Sequence, residues 1–153
     1  RSRNKIFNGK DFYMVGGMGH SSSVALGYAV NSKKNIFCLD GDGAILMHLG
    51  SMRTIGYLKN KNLKHIILNN NSHESVGGQT TTASDIDFKK LSKSLGYKYY
   101  LKIDSKKNLD SKIKNFIKKK GPCLLEVKIN NGSLDNLSRP KNLIKIKNKF
   151  MIN

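Results

Sequence analysis

The stretch Cys38–Gly50, CLDGDGAILMHLG, closes an apolar run with two aspartates and two glycines and continues into a helix-like pattern. The chain around it has 153 residues, 28 Lys and Arg against 10 Asp and Glu, and a formal net charge of +18. The acidic pair therefore reverses the bias of its own chain. Gly41 and Gly43 let the backbone turn sharply and approach a ligand closely. A helix starting near Ala44 offers unpaired N–H groups and a positive dipole end suited to phosphate. Asp42 opposes that use, because a carboxylate repels phosphate. A divalent cation removes the conflict: at about 2.0–2.1 Å from Mg²⁺, carboxylate and phosphate oxygens share one octahedron. An ordinary strand-to-helix turn with Asp42 as N-cap accounts for the same residues, so a second element has to decide.

That element is ILNNNSH, Ile67–His73. Residues 44–68, a spacer of 25, separate Gly41-Asp42-Gly43 from its Asn69-Asn70 pair, enough for one helix and a returning strand. Asn70 can then offer its amide oxygen to the cation held by Asp42, with the backbone carbonyl of Ser72 as a third oxygen. A third stretch, GGMGHSS at Gly16–Ser22, again places glycines between an apolar run and a helical pattern.

Outward from these motifs, short apolar runs alternate with amphipathic ones, as βα units feeding a parallel sheet do. The patterns predict an α/β fold with a mostly parallel sheet of about five strands and helices on both faces. The expected strands are Phe12–Val15, Asn35–Leu39, His65–Asn69, Tyr97–Ile103 and Cys123–Ile129. The expected helices are His20–Asn31, Ala44–Lys59, Asp87–Leu95 and Leu109–Lys119. Asn69–Asp87 carries neither period and reads as a long loop, a length usually tied to function. In such folds ligands sit at the carboxyl ends of strands, so the three stretches are expected to converge. Residues 1–131 form the expected domain, and 132–153 a polar, basic tail.

The positive charge is mostly Lys scattered with Asn and Ile, without the interleaved aromatics of a single-strand platform. It reads as solvated surface, with no nucleic acid as partner. No apolar stretch approaches the ~18 residues of a membrane span and no signal peptide is visible, so no membrane and a cytoplasmic location are expected. Cys38 and Cys123 both lie in apolar runs, which favours buried thiols over a disulfide or metal site. The chain starts at Arg1 without Met, and RSRNKIFNGKD reads as a linker, so a piece of a longer chain is expected.

Gly41-Asp42-Gly43, the spacer and Asn69-Asn70 together resemble the cofactor motif of the thiamine diphosphate-dependent 2-oxo acid decarboxylases, in the domain that holds the diphosphate. VGGMGHSSSVALGYA, Val15–Ala29, resembles the segment of that family beside the pyrimidine ring. Within the family, the chain is most similar to the phosphonopyruvate decarboxylases, above all in the loop His73–Gln79. It departs from their pattern at Asn71-Ser72 and Thr80.

The resemblance implies thiamine diphosphate and Mg²⁺ as cofactors, and decarboxylation of phosphonopyruvate to phosphonoacetaldehyde and CO2. It implies cofactor contacts at Gly16, Met18, Gly41, Asp42, Gly43, Ala44, Asn70 and Ser72, with Asp42, Asn70 and Ser72 on the metal. Met18 would wedge the cofactor into a bent shape, and the Gly16 carbonyl would accept its 4′-amino group; plain core packing also accounts for Met18. His73 would move a proton or hold a phosphonate oxygen, or else it only ties the loop down. Ser75 and Gln79 would bind the anionic head of the substrate. In this family a glutamate from a separate pyrimidine-binding domain activates the cofactor. Glu74 and Glu126 are the chain's own glutamates, and neither fits that role. A pyrimidine-binding domain, from a missing N-terminal part or a separate subunit, is therefore an expected partner, and an oligomer is expected. The alternatives are the β subunit of a sulfopyruvate decarboxylase and a non-catalytic remnant that only binds a partner.

Overall fold

The computed structural model describes residues 11–132 and 140–151. Residues 18–131 form one compact unit, and the other described residues, 11–17, Gly132 and 140–151, belong to a second.

In the larger unit, β1 (Ile36–Gly41), β2 (Leu63–Asn69), β3 (Tyr99–Ile103) and β4 (Cys123–Lys128) make a parallel sheet in the order β1-β2-β4-β3. Parallel neighbours need crossover connections, and helices supply them: α2 (Asp42–Met47) and α3 (Gly50–Leu58) after β1, α4 (Phe88–Leu95) after β2, and α5 (Leu109–Lys118) after β3. A further helix, α1 (Ser21–Val30), precedes β1. The expected α/β architecture with a parallel sheet is thus present.

Side chains alternate across a strand, and β2 and β4 divide the core accordingly. Leu63 and Ile67 of β2 and Leu124 of β4 pack with Leu26, Ile45, Met52, Ile55 and Phe88 from α1 to α4. Cys123 and Leu125 of β4 face the other way, against Ile103 and against Phe116 of α5. Helices therefore cover both faces, and each fully buried Leu, Ile, Met or Phe contributes roughly 1.5–3 kcal/mol relative to exposure. On the second face Phe37 and Leu39 of β1 stay exposed.

Two expected elements differ. Phe12–Val15 is not a strand, so the sheet has four strands among the described residues rather than five. The run is short, and the chain leaves it through Gly16 and Gly19, both at φ +87°, a region side chains rarely adopt. The expected helix Ala44–Lys59 is two helices, because His48, at φ −135° and ψ 49°, leaves the helical region after α2. α4 is capped by Asp87, whose side chain accepts the Lys90 N–H, a bond that holds its carboxyl below the usual range.

Polar groups also enter the core. His65 stands 2.9 Å from the Tyr97 hydroxyl through Nδ1 and 3.4 Å from Asp40 through Nε2, all three buried. Cys38 lies beside Asp40 and His65. Burial, then the Asp40 charge, push its thiol up to about 12, so it stays neutral in the fold. Asp40, the other acid of the opening stretch, is thus a core residue.

In the smaller unit the tail holds a helix, α6 (Leu143–Met151), and the Phe12 and Phe150 rings lie 5.5 Å apart. Among the described residues no helix is long and apolar enough to cross a membrane.

Candidate active site

β1 and β2 run side by side in the same direction, with Asp40 opposite Ile67 and Gly41 opposite Leu68. Their carboxyl ends therefore deliver Asp42 and Asn70 to one edge of the sheet. A cleft of about 180 Å³ opens there, lined by Met18, Gly41, Asp42, Gly43, Ala44, Asn70, Ser72, His73 and Ser75, with Leu68, Glu74 and Ile129. The three glycine- and asparagine-rich stretches meet at it. Gly19 brings the first against the second: a Cβ there would stand 2.8 Å from the Ala44 carbonyl and would strike the His48 ring.

Close packing explains Gly43. A Cβ on Gly43 would run into the His73 ring and approach Thr81 Cγ2 to 2.9 Å, so any larger residue would drive the histidine from its place. Gly41 has open space instead, and its extended backbone caps α2.

The long loop is ordered by its own polar groups. Ser72 and Thr80 form an antiparallel bridge, the His73 N–H donates to the Gln79 carbonyl at 2.8 Å, and the Ser72 hydroxyl donates to the Gly78 carbonyl at 3.1 Å. Asn70 turns the chain by accepting the Ser72 N–H on Oδ1 at 3.1 Å, while its Nδ2 donates to Glu74 at 3.0 Å. The loop thus closes on itself like a hairpin, and its residues 72–75 line the cleft. The His73 Nδ1 is buried and has no hydrogen-bond partner among the described residues.

The donors on this edge suit a hard divalent cation: the carboxylate of Asp42, the amide oxygen of Asn70 and the backbone carbonyl of Ser72 are all oxygens. Asn70 Oδ1 has two lone pairs, so its bond to Ser72 leaves one for a metal. Asp42 is 2% exposed, and a carboxylate so buried needs partners. Thr81 supplies one, donating its hydroxyl to Oδ2 at 2.5 Å.

Of the residues expected at the site, nine line the cleft and two do not. Gln79 is exposed, holding His73 through its backbone. Gly16 belongs to the smaller unit. Sequence reasoning missed Thr81, one of three consecutive threonines with nothing to distinguish it. It also read Asn69 only as half of a doublet, whereas its side chain is buried and donates to Glu126 at 2.9 Å.

The fold and the cleft define an α/β cofactor-binding domain with its site at the carboxyl ends of parallel strands. Residues 2–127 match the family described as thiamine pyrophosphate enzyme, C-terminal TPP binding domain. The chain belongs to that family. Phosphonopyruvate decarboxylase of Streptomyces viridochromogenes is 39% identical over 130 residues, covering 85% of this chain and 33% of its own. Sulfopyruvate decarboxylase subunit beta of Methanocaldococcus jannaschii is 42% identical over 88 residues, covering 57% of this chain and 47% of its own. A solved structure from Mycobacterium smegmatis, assigned to the thiamin diphosphate-dependent enzymes, aligns with a TM-score of 0.61 at 21% identity. That alignment covers 76% of this chain and 23% of the other, and it speaks for the fold. The chain spans about a third of the length of the phosphonopyruvate decarboxylases it matches.

Proposed function

We propose that this chain supplies the diphosphate and metal half of a thiamine diphosphate- and Mg²⁺-dependent decarboxylase acting on phosphonopyruvate, yielding phosphonoacetaldehyde and CO2. The observation that carries the reading is the meeting of Met18, Asp42, Asn70, Ser72 and His73 around one cleft. Residues 1–131 are its cofactor domain and 132–153 a basic tail. A pyrimidine-binding domain from elsewhere completes the site within an oligomer. A cleft of about 180 Å³ agrees with a half-site, since small-molecule sites run to roughly 300–1,000 Å³.

When bound, thiamine diphosphate would supply the carbon nucleophile for a 2-oxo acid and the electron sink for the bonding pair left behind as CO2 departs. The chain's share is to bind and orient. Asp42, Asn70 Oδ1 and the Ser72 carbonyl hold Mg²⁺, while Gly41, Gly43 and Ala44 leave room and backbone N–H groups for the diphosphate. Met18, on the lining of the cleft, would support the cofactor. His73, with an unpartnered ring nitrogen beside Gly43, holds or moves a proton at the substrate. Ser75 and Gln79 bind the phosphonate by hydrogen bonds.

The 42% identity to a sulfopyruvate decarboxylase β subunit favours a second reading, in which the acid is sulfopyruvate and the partner is a separate subunit. One experiment tests both. The chain is complemented with a pyrimidine-binding domain, supplied with thiamine diphosphate and Mg²⁺, and assayed for aldehyde release from each acid. Release from phosphonopyruvate alone supports the first reading, and release from sulfopyruvate alone the second. Release from neither, with cofactor bound, refutes the decarboxylase assignment.

A further inference from the structure

Glu126 is a buried carboxylate that the proposed chemistry does not use. It sits in β4 within the apolar run CLLEVK and is 4% exposed. Burying a carboxylate is costly unless it is paired and hydrogen-bonded, and a leucine would fill this strand position without that cost. Its partners suggest why a carboxylate stands there. Oε1 accepts from Asn69 Nδ2 at 2.9 Å and lies 3.4 Å from Lys128 Nζ; Oε2 accepts from the Tyr100 hydroxyl at 2.6 Å. Burial and then Glu126 itself push the Tyr100 hydroxyl far above its ordinary value, so Tyr100 remains the donor.

Asn69 carries the contact onward. Its Oδ1 accepts the Asn71 N–H at 3.2 Å, and its own backbone carbonyl accepts the Ile129 N–H at 3.0 Å. The side chain is thus clamped on both sides, by a carboxylate and by the backbone two residues on. The residue between those two anchors is Asn70. Asn71, held at φ +58°, accepts the Ser84 N–H on Oδ1 at 3.0 Å, which fixes the far side of the turn.

We propose that Glu126 is a positioning residue for the metal-binding turn, acting through Asn69 to set the direction in which Asn70 presents its amide oxygen. The proposal rests on the reading of Asn70 as a metal ligand. Loss of an outer partner of a ligand typically weakens metal binding by about 10–100-fold, and that is the effect expected of Glu126→Leu. Glu126→Gln keeps the chain, because its amide oxygen can accept from Asn69 while its amide nitrogen donates to the Tyr100 oxygen. It is expected to bind as the wild type does.

The test titrates Mn²⁺, in place of Mg²⁺, into the complemented chain with saturating thiamine diphosphate, counts bound metal by electron paramagnetic resonance, and follows melting without metal in parallel. Support is a loss of about 10–100-fold in Glu126→Leu with wild-type affinity in Glu126→Gln. A lowered melting point with unchanged affinity makes Glu126 merely structural and overturns the proposal. If Glu126→Leu does not fold, Asn69→Ala removes the same clamp from the other side and must show the same loss. Asp42→Ala separates the two levels: if it binds Mn²⁺ as well as the wild type, the metal site itself is misassigned and this inference falls with it.

Discussion

Thr81 donates its hydroxyl to Asp42 across 2.5 Å, both side chains buried, although 39 positions separate them in sequence. A hydrogen bond to a charged acceptor is worth roughly 1.5–3 kcal/mol, and here it also fixes the rotation of a carboxylate proposed to bind metal. Thr81→Val keeps the shape and removes the donor. Its expected result is an intact fold with Mg²⁺-dependent cofactor binding weakened by about 10–100-fold, while Thr81→Ser retains binding. Calorimetric titration of the three proteins checks this, and equal affinity in Thr81→Val would remove the hydroxyl from the site's account.

Gly43 faces the His73 ring so closely that a methyl group has no room. Gly43→Ala is therefore expected to push the ring and its loop outward while leaving the distant core clusters intact. Overpacking typically costs about 1–3 kcal/mol, but the larger loss should fall on cofactor binding. The histidine ring signals by NMR report the displacement directly. An unmoved His73 with full cofactor affinity would contradict the packing argument.

How much of this was legible from the residues depends on how far apart the partners lie. Asp42 and Asn70 could be paired because one strand–helix–strand unit fixes the distance between consecutive strand ends, and β1 and β2 are indeed neighbours. Thr81 and Glu126 could not, since their meaning comes from contacts 39 and 57 positions away. Glu126 even looks misplaced in CLLEVK until the register sets β4 beside β2, with Asn69 opposite Lys128. The strand expected at Phe12–Val15 failed because a four-residue apolar run carries no period of its own. The helix expected over Ala44–Lys59 failed because the turn at His48 follows from tertiary contacts with Gly19 and His20.

Gly56 offers a control that separates stability from the site. It packs against the end of α4, where a Cβ would strike the Leu95 carbonyl and stand 3.0 Å from Gly96 Cα. Those atoms are backbone and cannot swing aside, so Gly56→Ala should destabilise the unit by about 1–3 kcal/mol or more. Urea denaturation measures that loss. Below the transition, metal-dependent cofactor affinity should match the wild type, because the residues lining the cleft lie elsewhere. A parallel loss of affinity would tie α3 and α4 to the site.

Cys38 sets a pH limit on the fold itself. Below the ordinary thiol value of 9.0, folded and unfolded chains both hold the proton, and the residue adds no pH dependence. Between 9.0 and about 12 the unfolded chain releases the proton while the folded one keeps it, because burial and the Asp40 charge oppose the thiolate. The unfolded state then binds fewer protons, so stability falls as pH rises through that window. Tyr97, pushed well above 10.0 mainly by burial, and Cys123, raised by burial, act with the same sign. The expected outcome is a urea midpoint that is level near neutrality and declines on the alkaline side, with a shallower decline in Cys38→Ala. A thiol reagent should in addition find Cys38 unreactive in the native protein and reactive once it is unfolded. Identical alkaline slopes for the two proteins would mean that Cys38 ionises alike in both states, against its burial beside Asp40.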